Sequence, residues 1–169
     1  MRGFIAIVIA ASVVAGGCGG AGDEELTERL VDAGGADDLE VEIGDDGDSI
    51  SVETDEGSVA IGSETDVPDG LTFPIPDGGD LTTSGTDGSY IFAAVQYPTD
   101  RYDEIVDSYK VWASADDRDW ELLESTTEMS GDTIRSAQWV SVSSSIVVND
   151  CISSSGELDS VCVTLNQSE

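Results

Sequence analysis

Apolar and acidic residues alternate through "LEVEIGDDGDSISVETDEGSVAIG". Leu39, Val41 and Ile43 fall on one side of an extended chain, followed by Ile50 and Val52, then Val59 and Ile61. A period of two marks half-buried strands. The breaks at Asp45-Asp46-Gly47-Asp48 and Asp55-Glu56-Gly57 are turn chemistry, so the pattern predicts a three-stranded meander. Just upstream, "DEELTERLVDAGG" changes period. Leu26, Leu30 and Val31 share one helical face, acids fill the first turn and Gly34-Gly35 supply a stop, which predicts a short helix. With so few large apolar groups this segment cannot be very stable alone. It is expected to lean on the rest of the chain or stay mobile.

"VPDGLTFPIPDGGD", residues 67–80, holds three of the 4 prolines and repeats Pro-Asp-Gly, predicting an extended connector. Beyond it, "LTTSGTDGSYIFAAVQYP" predicts two strands around Thr86-Asp87-Gly88. In "TDRYDEIVDSYKVWASADD", Tyr102, Ile105, Val106, Tyr109, Trp112 and Ala113 recur at helical spacing, with Thr99 or Asp100 placed to cap the start. "WELLEST", "TIRSAQWV", "SSSIVVNDC" and "VCVTL" predict four more strands. The expected fold class is therefore α+β: a mainly antiparallel sheet packed by one amphipathic helix in the order β-β-α-β-β-β-β, preceded by the small helix and the meander.

Charge then limits the partners. Against 36 acidic residues stand 6 basic ones (Arg2, Arg29, Arg101, Lys110, Arg118 and Arg135), and the formal net charge is −30. Nucleic-acid binding is excluded, because each neutralised phosphate needs a basic group. Electrostatic adhesion to an anionic membrane is excluded on the same ground. The carboxylates make a solvated, self-repelling surface, of a kind suited to a salty habitat. Histidine is absent, which removes Ser-His-Asp and Cys-His catalysis and every His-ligated metal centre.

The N-terminus "MRGFIAIVIAASVVAGGC" has one cation, then an apolar run over residues 4–15 broken only by Ser12. As a helix that run reaches about 18 Å, well short of the ~30 Å hydrocarbon core, so it fits a secretory signal peptide and not a membrane span. Its end resembles the lipobox of bacterial lipoprotein signal peptides. There an aliphatic residue and two small ones precede a cysteine that becomes lipidated, and Ala15, Gly16, Gly17 and Cys18 occupy those positions. The resemblance implies cleavage between Gly17 and Cys18 and a diacylglyceryl group on Cys18. The chain departs from the pattern at Ala15, where Leu is usual. Ordinary secretion with cleavage after Ala21 is the rival reading.

Cysteine arithmetic bears on this choice. The 3 cysteines are Cys18, Cys151 and Cys162. Pairing Cys151 with Cys162 leaves one odd exported thiol, and lipidation accounts for it. The polar "ISSSGELDSV" between the two suits a loop joining antiparallel strands. The competing reading is two free buried thiols.

The chain beyond the anchor resembles small, uncharacterised lipoproteins of actinobacterial type. They share an acidic helix, a "DLEVEIG…DSISVE…DEGSVAIG" segment, a "PIPDG" connector and a helix like "YDEIVDSYKVWASADDRDWEL". The likeness is one of turns and periodicity, and implies no activity.

No constellation of catalytic residues stands out. "DDGDSISVETDE" fails as an EF-hand, because Ile50 falls where a ligand belongs and the required Gly is missing. Looser Ca²⁺ sites at Asp45, Asp46 and Asp48, or at Asp116, Asp117 and Asp119, compete with plain polar hairpin tips. Carboxylate pairs of glycosidase type carry no signal among 36 acids. Ser143-Ser144-Ser145 and Ser153-Ser154-Ser155 have no histidine to act as base. Lys110 is expected to lay its stem beside Tyr109 and Trp112. Trp112, Trp120 and Trp139 are expected in the core, with a carbohydrate- or peptide-binding platform as the alternative.

The sequence thus predicts a signal peptide (1–17), a lipidated tether (18–22), the acidic helix and meander (23–66), a connector (67–80) and an extracytoplasmic α+β domain (81–169). No catalytic residues, metal or cofactor are expected. The expected partners are the membrane, through lipid on Cys18, and an envelope protein or polymer of unknown identity. A Ca²⁺-dependent or envelope-polymer-binding domain is the alternative.

Overall fold

A computed structural model describes residues 40–44, 49–55, 57–62, 65–129, 131–153 and 156–168. The strands are β1 (Glu40–Ile43), β2 (Ser49–Thr54), β3 (Gly57–Gly62), β4 (Asp80–Asp87), β5 (Tyr90–Pro98), β6 (Glu121–Met129), β7 (Asp132–Val140), β8 (Ser144–Ile152) and β9 (Leu158–Ser168). They form one antiparallel sheet in the spatial order β1-β2-β3-β4-β5-β9-β8-β7-β6. A helix, α1 (Tyr102–Ala115), carries the chain from β5 to β6 at the far edge. From there β6 to β9 return as hairpins until β9 closes against β5 along its full length, Tyr90 opposite Ser168 and Pro98 opposite Ser160.

The α+β class and the order β-β-α-β-β-β-β are as expected from residue 81 onward. The helix expected over 23–35 lies outside the described residues. β1, β2 and β3 pair in succession, but β3 also pairs with β4, Gly57 opposite Asp87 and Ile61 opposite Thr83. These strands are therefore one edge of the sheet and not a unit set before it.

α1 forms where Tyr102, Ile105, Val106 and Tyr109 recur on one face, and all four are buried. Neither Thr99 nor Asp100 caps it. Thr99–Arg101 wind into a 3₁₀ turn after Pro98, which shifts the cap position to Arg101, with no side-chain cap bond. Instead Arg101 reaches forward and grips both oxygens of Glu104 at 2.7 and 2.8 Å.

Alternate residues of the central strands face α1. Ala93, Val95 and Tyr97 of β5, Val161, Val163 and Leu165 of β9, Ile146 and Val148 of β8, and Ala137 and Trp139 of β7 make the core with the helix. Tyr109 and Trp139 stand with ring centroids 5.8 Å apart. Each fully buried side chain of this kind contributes about 1.5–3 kcal/mol of hydrophobic transfer free energy.

The proline-rich segment is fastened to the same face. Tyr97 donates its hydroxyl to the Pro76 carbonyl (2.8 Å) and Tyr109 donates to that of Pro74 (3.0 Å). Gln167 accepts from the Thr72 N–H and hydroxyl and donates to the Gly70 carbonyl. Gly79 is needed for the close approach, since a Cβ there would run into the Tyr97 ring and Val95. The hydroxyls cap carbonyls that would otherwise lose water without compensation, and burial in return pushes Tyr97 up to about 12 and Tyr109 higher still.

Candidate functional site

Acidic as it is, the chain concentrates its chemistry around its few cations. The four among the described residues, Arg101, Lys110, Arg118 and Arg135, are all in ion pairs. Two of them form similar clamps at opposite ends of α1.

At the C-terminal end, Arg118 forks onto Asp116. Its Nε donates to Oδ1 (2.7 Å), Nη2 to Oδ2 (2.9 Å), and its backbone N–H to Oδ1 (3.0 Å). The Trp120 indole N–H donates to the same Oδ1 at 3.1 Å. The Arg118 guanidinium stands 5.1, 5.2 and 5.0 Å from the ring centroids of Phe73, Trp112 and Trp120. Those rings also meet one another, Phe73 to Trp112 edge-on at 5.6 Å. Hydrogen bonds from the Arg118 side chain, joined by its backbone N–H and the Trp120 indole, hold the Asp116 carboxyl well below the usual carboxylate range despite its partial burial. The box ties three separate stretches together: the connector through Phe73, α1 through Trp112 and the approach to β6 through Trp120.

At the other end, Arg135 of β7 forks onto Asp150 of β8, Nε to Oδ2 at 2.8 Å and Nη2 to Oδ1 at 3.0 Å, and its backbone N–H adds a third bond at 2.8 Å. The Asp150 side chain is only 3% exposed, so its carboxylate is satisfied by Arg135 and not by water, while the Arg135 side chain stays 34% exposed. The guanidinium lies 4.0 Å over the Tyr102 ring and reaches Asp103 at 3.5 Å. The bonds to Asp150 raise the affinity of Arg135 for its proton. Both clamps join a carboxylate fork to an aromatic face, the geometry for which arginine is better suited than lysine.

The sequence-predicted residues fall as follows. A disulfide joins Cys151 and Cys162, with Cα atoms 5.8 Å apart, tying β8 to β9 on the face away from α1. Gly17, Cys18, Asp45, Asp46, Asp48, Ser154 and Ser155 lie outside the described residues. Asp116 is committed to Arg118, and Asp117 and Asp119 beside it are exposed. Among the described residues no three metal-capable side chains converge. Ser144 is buried with its hydroxyl 3.4 Å from Arg118 Nη1. Ser153 donates to the Glu157 carbonyl. The Lys110 ammonium pairs with Glu124 across to β6 at 2.9 Å. Trp139 is buried as expected, while Trp112 and Trp120 are half-buried walls of the Arg118 box. Trp120 ends just before β6 begins.

An open groove of about 750 Å³ runs between residues 66–69 and strands β2 to β4. Ser51, Glu53, Ser58, Asp66, Asp69 and Ser84 line it, and Ser84 donates to the Asp66 carbonyl at 2.7 Å. Among the described residues its walls hold no basic side chain and no nucleophile–base pair.

The sequence reading missed both clamps. Arg118 sits within "DDRDW", which looks like a solvated acidic turn, and its aromatic partners come from residues 73, 112 and 120. Arg135 and Asp150 did leave a signal. Each shares the inward parity of its strand, Arg135 with Ala137 and Trp139, Asp150 with Ile146 and Val148, and opposite charges at inward positions of neighbouring strands announce an internal pair. Against models of known protein families, curated proteins and solved structures, the chain has no match in any of the three comparisons.

Proposed function

We propose that this chain is a lipid-anchored extracytoplasmic lipoprotein whose α+β body is a non-catalytic structural or interaction module. The observation that carries the reading is the Cys151–Cys162 disulfide. It takes up two of the 3 cysteines and is the bond an oxidising, extracytoplasmic compartment favours. Cys18 is then the odd cysteine, and it stands where a lipobox cysteine belongs, after Ala15, Gly16 and Gly17.

On this reading cleavage between Gly17 and Cys18 leaves a diacylglyceryl cysteine as the first residue. Acyl chains contribute about 0.8 kcal/mol per buried CH₂, and two of them suffice for stable attachment. Lipid is the only attraction to the bilayer, because so acidic a body is repelled by an anionic surface. Residues 18–22 are the tether, residues 23–35 a small helix, and residues 40–62 an acidic meander at the near edge of the sheet. The two arginine clamps are spent on holding α1 and the connector to the sheet, a role in architecture and not in turnover.

Fractionation tests the anchor. In cells making the full chain, the wild type is expected in the membrane fraction and Cys18→Ala in the soluble or secreted fraction. Equal release of both would overturn the reading.

A further inference from the structure

We propose that residues 23–35 dock, as an amphipathic helix, on the face of β1–β3 that points away from α1. Two ladders of directly paired side chains cross that face, Val41–Val52–Val59 and Ile43–Ile50–Ile61. The first continues over Gly85 to Phe92, whose ring lies against the Gly85 backbone. All six ladder residues are half-buried and none belongs to the core under α1. The described connector offers no cover here, because it is bound on the other side, through Ser84, Tyr97 and Tyr109.

The charged side chains of these strands lie on the opposite face, where Glu42 pairs with Ser51 and Glu53 with Ser58. A cover over the two ladders therefore desolvates no charged side chain within them. Three strands at about 4.8 Å spacing present a strip roughly 10 Å wide, and a helix is about 10 Å across with its side chains. One helix suffices.

Residues 23–35 meet the requirement from within the chain. Leu26, Leu30 and Val31 make a compact apolar face, and their length as a helix is about 20 Å. Only residues 36–39 separate this segment from β1, a normal length for a helix-to-strand connection. β1 is the outermost strand, so the chain arrives at the edge of the face it would cover. A second copy is the weaker occupant, since dimerisation through this face would bring together two bodies of charge −30. This docking does not depend on the lipid anchor, although with both in place the tether would leave the body from its β1 edge.

Hydrogen exchange on the full chain, read by mass spectrometry, tests the proposal. In the wild type, amides of residues 26–33 are expected to exchange at least tenfold more slowly than an unstructured chain. In Leu26→Asp/Leu30→Asp that protection is lost and exchange in residues 49–62 rises at least tenfold, while residues 91–97 and 161–165 are unchanged. Glu28→Gln, on the polar side of the same segment, behaves as wild type. Unprotected residues 26–33 in the wild type would overturn the proposal. So would a dimer in solution whose β1–β3 protection ignores the Leu26 and Leu30 changes, because the cover would then be a second copy.

Discussion

The half of the sheet made by β5, β9, β8 and β7 turns its apolar side chains toward α1, whereas β1, β2 and β3 turn theirs the other way. In the first half, Val95, Val163 and Val148 lie in one row across the inward face. In the second, the row is Val41, Val52 and Val59, on the outward face. Between them β4 offers small or hydroxylated residues along Thr82–Thr86, so it can border either region without a large side chain on the wrong side. Strand parity alone decides which face is buried, and a change of phase between neighbouring strands moves the hydrophobic surface through the sheet. One half thus has a full core. The other has a thin apolar layer whose stability depends on what covers it.

The largest test of this difference is to cut one apolar residue from each half. Trp139→Ala removes a buried ring packed on Tyr109 and is expected to cost about 3–5 kcal/mol. Val59→Ala, in the half-buried ladder, is expected to cost about 1 kcal/mol. Denaturant melts measure both, and comparable losses would erase the distinction between the halves.

Reduction of the Cys151–Cys162 bond comes next. The bond closes a loop with sequence separation 11, for which chain entropy gives about 2.5–3 kcal/mol. Because it staples β8 to β9, melts in reductant are expected to show a loss in the α1-covered half, with β1–β3 following only as that half unfolds.

The Arg118 box should matter less, and its contribution should depend on pH. Asp116→Asn keeps the size but removes the charge from the fork, with an expected loss of about 1–2 kcal/mol at neutral pH. The Asp116 carboxyl is held below its unfolded value. Between those two values the unfolded chain binds more protons, so the contribution is complete above about pH 4 and fades as the pH falls toward the folded value. The gap in melting temperature between wild type and Asp116→Asn is therefore expected to narrow as the pH is lowered below about 4. A constant gap would mean that the carboxylate charge does not hold the box. The smallest effect belongs to the exposed Lys110–Glu124 pair, where Lys110→Met is expected to change stability by less than about 0.5 kcal/mol.

Local elements were legible because their signals are local. The spacing of Tyr102, Ile105, Val106 and Tyr109 placed α1 and its buried face, and the break around Gly88 placed the β4–β5 hairpin. The insertion of β9 between β5 and β8 was not legible, since nothing near residues 158–168 says which strand they will join. The N-cap was misread because the 3₁₀ turn absorbed the two candidate residues before the helix began. The Lys110–Glu124 pair was not legible because Glu124 lies on a strand brought alongside only by the crossover. Cys151 and Cys162 were readable as a pair because the bond joins strands adjacent in sequence, and pairing them made Cys18 stand out.

Intact mass of the protein recovered from cells tests the lipid-anchor reading most directly. The account predicts a chain that begins at Cys18, carries a diacylglyceryl group and gains two hydrogens only after reduction. A chain that begins after Ala21 without lipid, or one whose mass is unchanged by reductant, would contradict it.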